Sequence, residues 1–193
     1  MAALPKTIIS ENEYLEEERK SLVKNEYYKG EMFAMAGATK AHNKIVASII
    51  LAIGEHLKGK KCSFFPSDLR VHNLENSLYT YPDVIVVCGE EEYLDDEFDT
   101  LLNPTVLVEV LSPATEDYDR GTKFKLYRTI PSLKNYILVS STEYAAEIYT
   151  RKEDDEWVLN TAKEKNSSIH INAINFDLAL SDIYAQVTDL TPS

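Results

Sequence analysis

Two apolar stretches decide the fold: Tyr81-Pro82-Asp83-Val84-Ile85-Val86-Val87 and Val106-Leu107-Val108-Glu109-Val110-Leu111, with their acids 26 residues apart. Each stretch is typical of a strand that carries one acidic residue between branched apolar neighbours. An acid in that position points into a packed layer, where ionisation is costly unless a cation or a hydrogen-bond donor meets it. The two acids therefore need an explanation.

Two interpretations of Asp83 and Glu109 are open. In the first, each carboxylate pairs with its own Lys or Arg and serves only the fold, since structural ion pairs do occur in protein interiors. In the second, the two acids meet on adjacent strands and hold a divalent cation. Mg²⁺ is usually bound in this way, by one or two carboxylates together with water and substrate phosphate.

The composition is that of a globular protein. A length of 193 residues suits a single domain over residues 1–193, and 44% apolar residues is ordinary for a globular core. No apolar run reaches the roughly 18 residues of a membrane span, and residues 1–10 lack a signal-peptide pattern. We therefore expect a cytoplasmic protein with no membrane contact, in which Cys62 and Cys88 are reduced thiols packed as small apolar side chains.

The chain is acidic, with 20 Lys and Arg against 32 Asp and Glu and a net charge of −12. This charge argues against tight, nonspecific binding to a polyanion. Seven acids lie between Glu90 and Asp99 and are expected to form a solvated loop. The basic residues cluster on two predicted helices: Lys58, Lys60 and Lys61 follow one, and Arg120, Lys123, Lys125 and Arg128 lie on the other. A local positive groove is compatible with this placement.

The pattern along the chain predicts an α+β protein with an α/β core. Helices are predicted over residues 11–20, 40–57, 115–128 and 181–187. Strands or hairpins are predicted over residues 25–35, 64–87, 106–111, 135–140, 145–160 and 169–171. Strand, helix and strand in succession from Val106 to Ser140 predict a right-handed crossover with two parallel strands, so the sheet is mixed.

Two further residues are candidates for the site. His42 lies in the first turn of helix 40–57 on its inward face, either as a helix-end residue or as a functional one. Lys123 shares a helix face with Asp119 and Tyr127, and standard rises place it about 12 Å back along the helix, close to the ~10 Å depth of Glu109 on its strand. The alternative for Lys123 is an exposed lysine paired with Asp119.

These residues resemble a known family. The similar motifs are Tyr81-Pro82-Asp83-Val84, the Glu109 strand with Ser112-Pro113 and Thr115, Asp119-Arg120 with Lys123 and Tyr127, and Glu26, Gly30-Glu31, Met35-Ala36-Gly37 and His42-Asn43 nearer the start. Together they resemble the large bacterial family of putative restriction endonucleases in the PD-(D/E)XK nuclease superfamily. The resemblance covers nearly the whole chain.

The resemblance implies a restriction-endonuclease-like fold, with a central mixed β-sheet flanked by helices and additional β-hairpins. It implies that Asp83, Glu109 and the main-chain carbonyl of Val110 hold Mg²⁺, or Mn²⁺. The superfamily pattern has a lysine two positions after the Glu, where this chain has Leu111. Members of the resembled family carry the lysine on the following helix, which implies Lys123 as the catalytic lysine and leaves Lys125 as its rival.

The resemblance also brings accessory candidates to the edge of the site: His42, Tyr127 and one of Glu26 or Glu31, as contacts to metal-bound water or to phosphate. The implied activity is Mg²⁺-dependent hydrolysis of DNA phosphodiester bonds to give a 5′-phosphate, by an enzyme that works as a homodimer. Two other interpretations stay open. One is a nuclease-like module that binds nucleic acid or a protein partner without cutting, and the other is RNA as the substrate.

Overall fold

The computed structural model describes residues 8–35, 37–188 and 190. Most of the stretch used for the signal-peptide prediction, and Ala36 of the N-terminal motif, lie outside these residues. The helices are α1 (Glu11–Glu18), α2 (Lys40–Leu57), α3 (Glu116–Tyr118), α4 (Phe124–Tyr127) and α5 (Leu180–Ile183), with a π-helical segment at Asp119–Lys123 and a 3₁₀ helix at Asn172–Ile174.

Thirteen strands are present in the part of the chain that the structure describes. They are β1 (Asn25–Tyr28), β2 (Glu31–Ala34), β3 (Cys62–Pro66), β4 (Arg70–Asn73), β5 (Leu78–Thr80), β6 (Val84–Cys88), β7 (Thr100–Leu101), β8 (Val106–Leu111), β9 (Asn135–Ser140), β10 (Ala146–Arg151), β11 (Trp157–Ala162), β12 (Ser168–Ile171) and β13 (Phe176–Ala179).

The central sheet has six strands in the order β11-β10-β9-β8-β6-β3. Strands β8 and β9 are parallel, with Glu109 opposite Leu138, and the other neighbours are antiparallel. The predicted crossover and the mixed sheet are confirmed. The parallel pair lies in the middle of the sheet, and all six residues of β8 are buried.

Alternation along β8 divides the core into two layers. Val106, Val108 and Val110 face α2, where the fully buried Ile45, Ile49 and Ile53 meet them. Leu107 and Leu111 face the other layer, with Tyr127 and Tyr136. Because successive side chains of a strand point to opposite faces, Glu109 shares the face of Leu107 and Leu111. The sequence pattern therefore carries its carboxylate towards the helix that holds Lys123.

A second sheet has five strands in the order β2-β1-β5-β4-β7. The hairpin or meander predicted over residues 64–87 is therefore divided, with β4 and β5 in this sheet and β3 and β6 in the central one. The chain crosses between the two sheets at Tyr81–Asp83, so the strand predicted from Tyr81 begins at Val84. Pro82 lacks an N–H for a ladder bond, and Asp83 lies at the entrance of β6.

The C-terminal prediction needs a correction. The helix predicted over residues 181–187 is the short α5, and the strand β13 before it was not predicted. Asn175 adopts a left-handed conformation, φ +50°, after the 3₁₀ helix and reverses the chain, so that β13 pairs with β12. A single Asn gives a weaker signal for a turn than Asn-Gly does, which is why the hairpin was missed.

The prediction of two reduced thiols is wrong for this structure, in which Cys62 and Cys88 form a disulfide. Their strands, β3 and β6, are antiparallel neighbours, and the two cysteines are directly opposite each other. This register depends on which strands pair and could not be read from the local apolar pattern.

The acidic segment contributes contacts to the fold. In the acidic loop, Asp95 and Asp99 accept hydrogen bonds from Arg19 at 2.7 and 2.8 Å, so the predicted solvated loop is anchored to the end of α1. Across residues 8–35, 37–188 and 190, none of the helices combines the length and apolarity that crossing a membrane needs.

We expect Ile49→Ala to lower the free energy of unfolding by about 2–5 kcal/mol, because it removes a fully buried side chain between α2 and the central sheet. The matched change Leu51→Ala, on the same helix at a position 65% exposed, should cost within about 0.5 kcal/mol. Urea unfolding of the two variants measures both values. Equal losses would contradict the face that α2 buries.

Candidate active site

The carboxylate of Asp83 lies at the start of β6 and is held from two sides. Its Oδ2 accepts a hydrogen bond of 2.7 Å from the main-chain N–H of Val110, and its Oδ1 lies 3.0 Å from Nε2 of His42. His42 reaches it from the first turn of α2, where the Thr39 side chain caps the N–H of His42. The cap and the inward face of α2 thus aim the imidazole at Asp83.

Glu109 is buried, with its side chain 8% exposed, and its Oε1 is met by two donors. Nζ of Lys123 lies 2.9 Å away, and the Tyr127 hydroxyl donates a hydrogen bond of 2.9 Å. Neither Asp83 nor Glu109 has a Lys or Arg of its own among the described residues, since Asp83 pairs with a histidine and Glu109 shares Lys123. The interpretation of two private structural ion pairs therefore does not describe this geometry.

Lys123 is the cation around which the acids gather. Besides Glu109, its Nζ lies 3.1 Å from Glu26 and 3.6 Å from Asp119, and its side chain is 6% exposed. Lys123 ends the π-helical segment, a wide turn that occurs often at functional sites. The alternative of an exposed lysine paired only with Asp119 is wrong, and Lys125 is the exposed one.

The structure separates the two N-terminal glutamates. Glu26, on β1, contacts Lys123 and accepts a hydrogen bond from Thr80 of the neighbouring strand. Glu31 lies on β2 opposite Tyr28 and is not among the acids within ion-pair distance of Lys123 in the described chain. Of the accessory candidates, the structure thus brings Glu26 and Tyr127 to Lys123, and His42 to Asp83.

Burial and charge act on the ionisation of this cluster. Burial raises the pKa of Glu109 well above its ordinary value, and the nearby charges of Asp119, Asp83 and Glu26 raise it further against the opposing effect of Lys123. Both effects favour the protonated, neutral form of Glu109.

Lys123 responds in the opposite way. Burial alone would lower the pKa of its ammonium group, but Glu109, Tyr127, Glu26 and Asp119 together raise it well above the ordinary value. Lys123 is consequently a permanent cation, which suits hydrogen-bond donation and charge stabilisation and does not suit a general base.

His42 and Glu26 are tuned by their partners. Burial would lower the pKa of His42, but the hydrogen bond and charge of Asp83 raise it above its ordinary value. Burial would likewise raise the pKa of Glu26, but the charge of Lys123 and the hydrogen bond from Thr80 lower it. Both shifts favour the charged form of each side chain.

The donor set fits a hard divalent cation. The carboxylates of Glu26, Asp83 and Asp119 all act electrostatically on Glu109, so four acids share this end of the site with one lysine. Among the described residues, no group of three or more His, Cys, Asp or Glu side chains is arranged to hold a metal ion. A cation here would have two carboxylate ligands, completed by a main-chain carbonyl and water, a set that Mg²⁺ accepts.

Reasoning from the sequence placed Asp119 on the helix face of Lys123 without assigning it to the site, and it missed Thr80. Asp119 had a signal, since it lies four residues before Lys123. Thr80 had none, because its contact with Glu26 depends on the pairing of β1 with β5. Of the four basic residues on the predicted helix, Lys123 is buried and Arg120 pairs with Glu116 and Glu147 at 2.7 and 3.2 Å, whereas Lys125 and Arg128 are exposed.

Comparisons with known proteins identify a family, two similar sequences and a shared fold. The model of the Uma2 family, described as "Putative restriction endonuclease", matches residues 11–181. An uncharacterized protein of Synechocystis sp. PCC 6803 is 36% identical over 183 residues, 95% of this chain and 94% of its own. A second one from the same organism is 32% identical over 165 residues, covering 86% and 93%.

A solved structure shares the fold. The crystal structure of a putative nuclease belonging to DUF820 from Anabaena variabilis superposes with a TM-score of 0.75 at 18% identity, covering 92% of this chain and 98% of its own. The predicted fold class, a mixed central sheet flanked by helices, is confirmed.

We expect Glu109→Gln to raise the free energy of unfolding of the metal-free protein at about pH 8. Because the folded pKa of Glu109 is raised, the folded state binds more protons than the unfolded state above the unfolded pKa. Its stability therefore falls as the pH rises through that window. Near pH 4, at about the unfolded pKa, the variant and the wild type should converge.

Urea unfolding with EDTA across this pH range measures the difference. The exposed Glu153→Gln, in the turn between β10 and β11, is the matched control and should leave the pH profile unchanged. A Glu109→Gln protein less stable than the wild type at about pH 8 would show that the carboxylate is retained for its ion pair.

Proposed function

We propose that this chain, which belongs to the Uma2 family of putative restriction endonucleases, is a metal-dependent endonuclease that hydrolyses DNA phosphodiester bonds. The observation that carries the proposal is the buried Lys123, held 2.9 Å from Glu109 on β8, whose neighbour β6 is directly preceded by Asp83. A nuclease family implies a nucleic acid substrate. The family resemblance read from the sequence is confirmed by the match over residues 11–181.

In this proposal Asp83, Glu109 and the carbonyl of Val110 hold Mg²⁺ or Mn²⁺. When bound, the ion supplies Lewis-acid stabilisation of the charge that develops on the scissile phosphate. Lys123 donates hydrogen bonds to the attacking water and to a phosphate oxygen, a role supported by its raised pKa. Tyr127 fixes Glu109 through its hydroxyl, and His42 orients Asp83.

The proposal includes a homodimer, in which two such sites would act on opposite strands, and a cytoplasmic location. The Cys62–Cys88 disulfide is the observation that weighs against the location, since disulfides are rare in cytosolic proteins.

A second candidate function is a module that binds nucleic acid or a protein partner without cutting. It is favoured because both acids already have a side-chain partner that would compete with a metal ion. Lys123 contacts Glu109, and His42 contacts Asp83. The net charge of −12 also disfavours duplex binding. Parallel cleavage assays on DNA and RNA test this candidate, and they test RNA as the substrate at the same time.

Calorimetric titration of Mn²⁺ is the first test of the site. We expect binding to the wild type and at least about tenfold weaker binding to Asp83→Ala. Mutation of a residue that only hydrogen-bonds to a metal ligand typically lowers metal affinity about 10–100-fold, and loss of a ligand itself should lower it at least as much. Asp177→Ala, which removes an acid 72% exposed on β13, is the control and should bind like the wild type. Binding retained by Asp83→Ala would contradict the assignment, and no binding with or without DNA would favour the non-cutting module.

Cleavage kinetics separate the two lysines. We expect Lys123→Gln to lower kcat by about 10²–10³-fold, as for the loss of one preorganised donor to a developing charge. Lys125→Gln, two residues along at an exposed position, should stay within about twofold of the wild type. The opposite result, with Lys125→Gln inactive and Lys123→Gln active, would overturn the role of Lys123.

A further inference from the structure

We propose that a pocket beside the start of α2 binds a phosphate group of the DNA strand, next to the phosphate that is cut. This inference rests on the proposed function and adds a substrate contact to it. It is carried by the charge of the pocket, by a buried serine hydroxyl that lines it, and by its position at the same end of the central sheet as Asp83.

The pocket lies between the first two turns of α2 and the connection from β9 to β10. Lys40 and Lys44 line it from α2, and Ser141 and Thr142 line it from the connection. Its volume is about 290 Å³, well above what a single water molecule needs, so a phosphate group fits. Among its described lining residues none is acidic, in a chain whose net charge is −12. The pocket is therefore a local positive site on an acidic protein.

Ser141 is the buried polar side chain of this pocket. The residue is 8% exposed, and its main-chain N–H donates a hydrogen bond of 3.2 Å to the carbonyl of Leu111. Its hydroxyl lines the pocket and makes no hydrogen bond to any other residue that the structure describes. Buried hydroxyls in proteins nearly always have a partner. A hydroxyl left open beside two lysines is a donor for an anion in the pocket.

The charges at the start of α2 differ from the usual preference of a helix. The positive end of the helix dipole favours acids in the first turn, but this first turn has no acid and begins with Lys40. Lys44, one turn later, is held by the carbonyl of Gln186 at 2.5 Å. An ammonium group has three N–H donors, so Lys44 keeps two for a ligand. The dipole and both lysines thus attract an anion to one place.

The pocket adjoins the proposed catalytic site on both sides. On α2, His42 lies between the two lysines in sequence, and its Nε2 is 3.0 Å from Asp83. On β8, the N–H of Val110 donates to Asp83, and the carbonyl of the next residue, Leu111, accepts from Ser141. Phosphate contacts fix the register of a nucleic acid on a protein. A flanking phosphate in this pocket would hold the scissile one beside Asp83.

Inorganic phosphate tests the pocket without any nucleic acid. The line width of its phosphorus-31 NMR signal, followed in a titration with EDTA present, gives the dissociation constant. We expect Lys44→Gln and Ser141→Ala each to weaken phosphate binding at least about fivefold, since each removes a hydrogen bond to a charged group. Lys44→Arg keeps the charge and should retain binding. Lys58→Gln, at an exposed position just after the other end of α2, is the matched control and should bind like the wild type.

DNA binding shows whether the phosphate belongs to a strand. Fluorescence anisotropy with calcium in place of magnesium measures binding of labelled DNA, as a single strand and as a duplex, at several salt concentrations. We expect Lys44→Gln to reduce the slope of log K against log salt by about 0.7–0.9, the value for one lost phosphate contact. Lys58→Gln should leave the slope unchanged. Urea unfolding checks that each variant is folded.

Three results would overturn the inference. They are no phosphate binding by the wild type, equal phosphate binding by the wild type, Lys44→Gln and Ser141→Ala, and DNA binding that neither variant weakens. The third result, together with weakened phosphate binding, would mark the pocket as a site for free phosphate.

Failure of the proposed function looks different. If Lys44→Gln weakens the binding of both phosphate and DNA but no DNA is cut with Mn²⁺, the pocket stands and the hydrolytic function fails. If DNA is cut and Lys44→Gln binds and cuts it like the wild type, the nuclease stands and the phosphate pocket fails.

Discussion

A buried ammonium group needs several hydrogen-bond acceptors. The acceptors of Lys123 come from three parts of the molecule. Glu109 comes from the central sheet, Glu26 from the second sheet and Asp119 from the helical segment that carries the lysine itself. Burial opposes the charged forms of Lys123 and Glu26, and the opposite charges around each of them offset that cost. Lys123 is therefore a contact that the two sheets share at this end of the molecule, beside the hydrogen bond between Thr80 and Tyr127.

The sequence predicted those features that depend on the periodicity of a single strand or helix. The alternation of β8 placed Glu109 in a packed layer, the apolar stripe of α2 gave that helix its bounds, and the rises of a strand and a helix brought Lys123 to the depth of Glu109. These features depend only on local periodicity, so they can be read before the fold is known.

The remaining features depend on pairing between distant segments. The choice of Glu26 over Glu31, the contact of His42 with Asp83 and the disulfide of Cys62 with Cys88 each follow from which elements are neighbours. The crossing at Pro82 also changed the position of Asp83, from the middle of a predicted strand to its entrance. The excess of carboxylates around Lys123 is a local conflict that folding alone would not favour, and such conflicts are expected at functional sites.

Lys123 lies on a helical segment, whereas the superfamily pattern has its lysine on the strand of the glutamate. A lysine at position 111 would sit on the same strand as Glu109, two residues away, at a separation of about 7 Å fixed by covalent geometry. Here Leu111 is a core residue, 3% exposed, and the lysine reaches Glu109 across a tertiary contact from the end of a π-helical turn. Glu109 and Lys123 therefore belong to different elements of the fold. Substitutions in the helical segment can change the distance between the ammonium group and the carboxylate without replacing either Asp83 or Glu109.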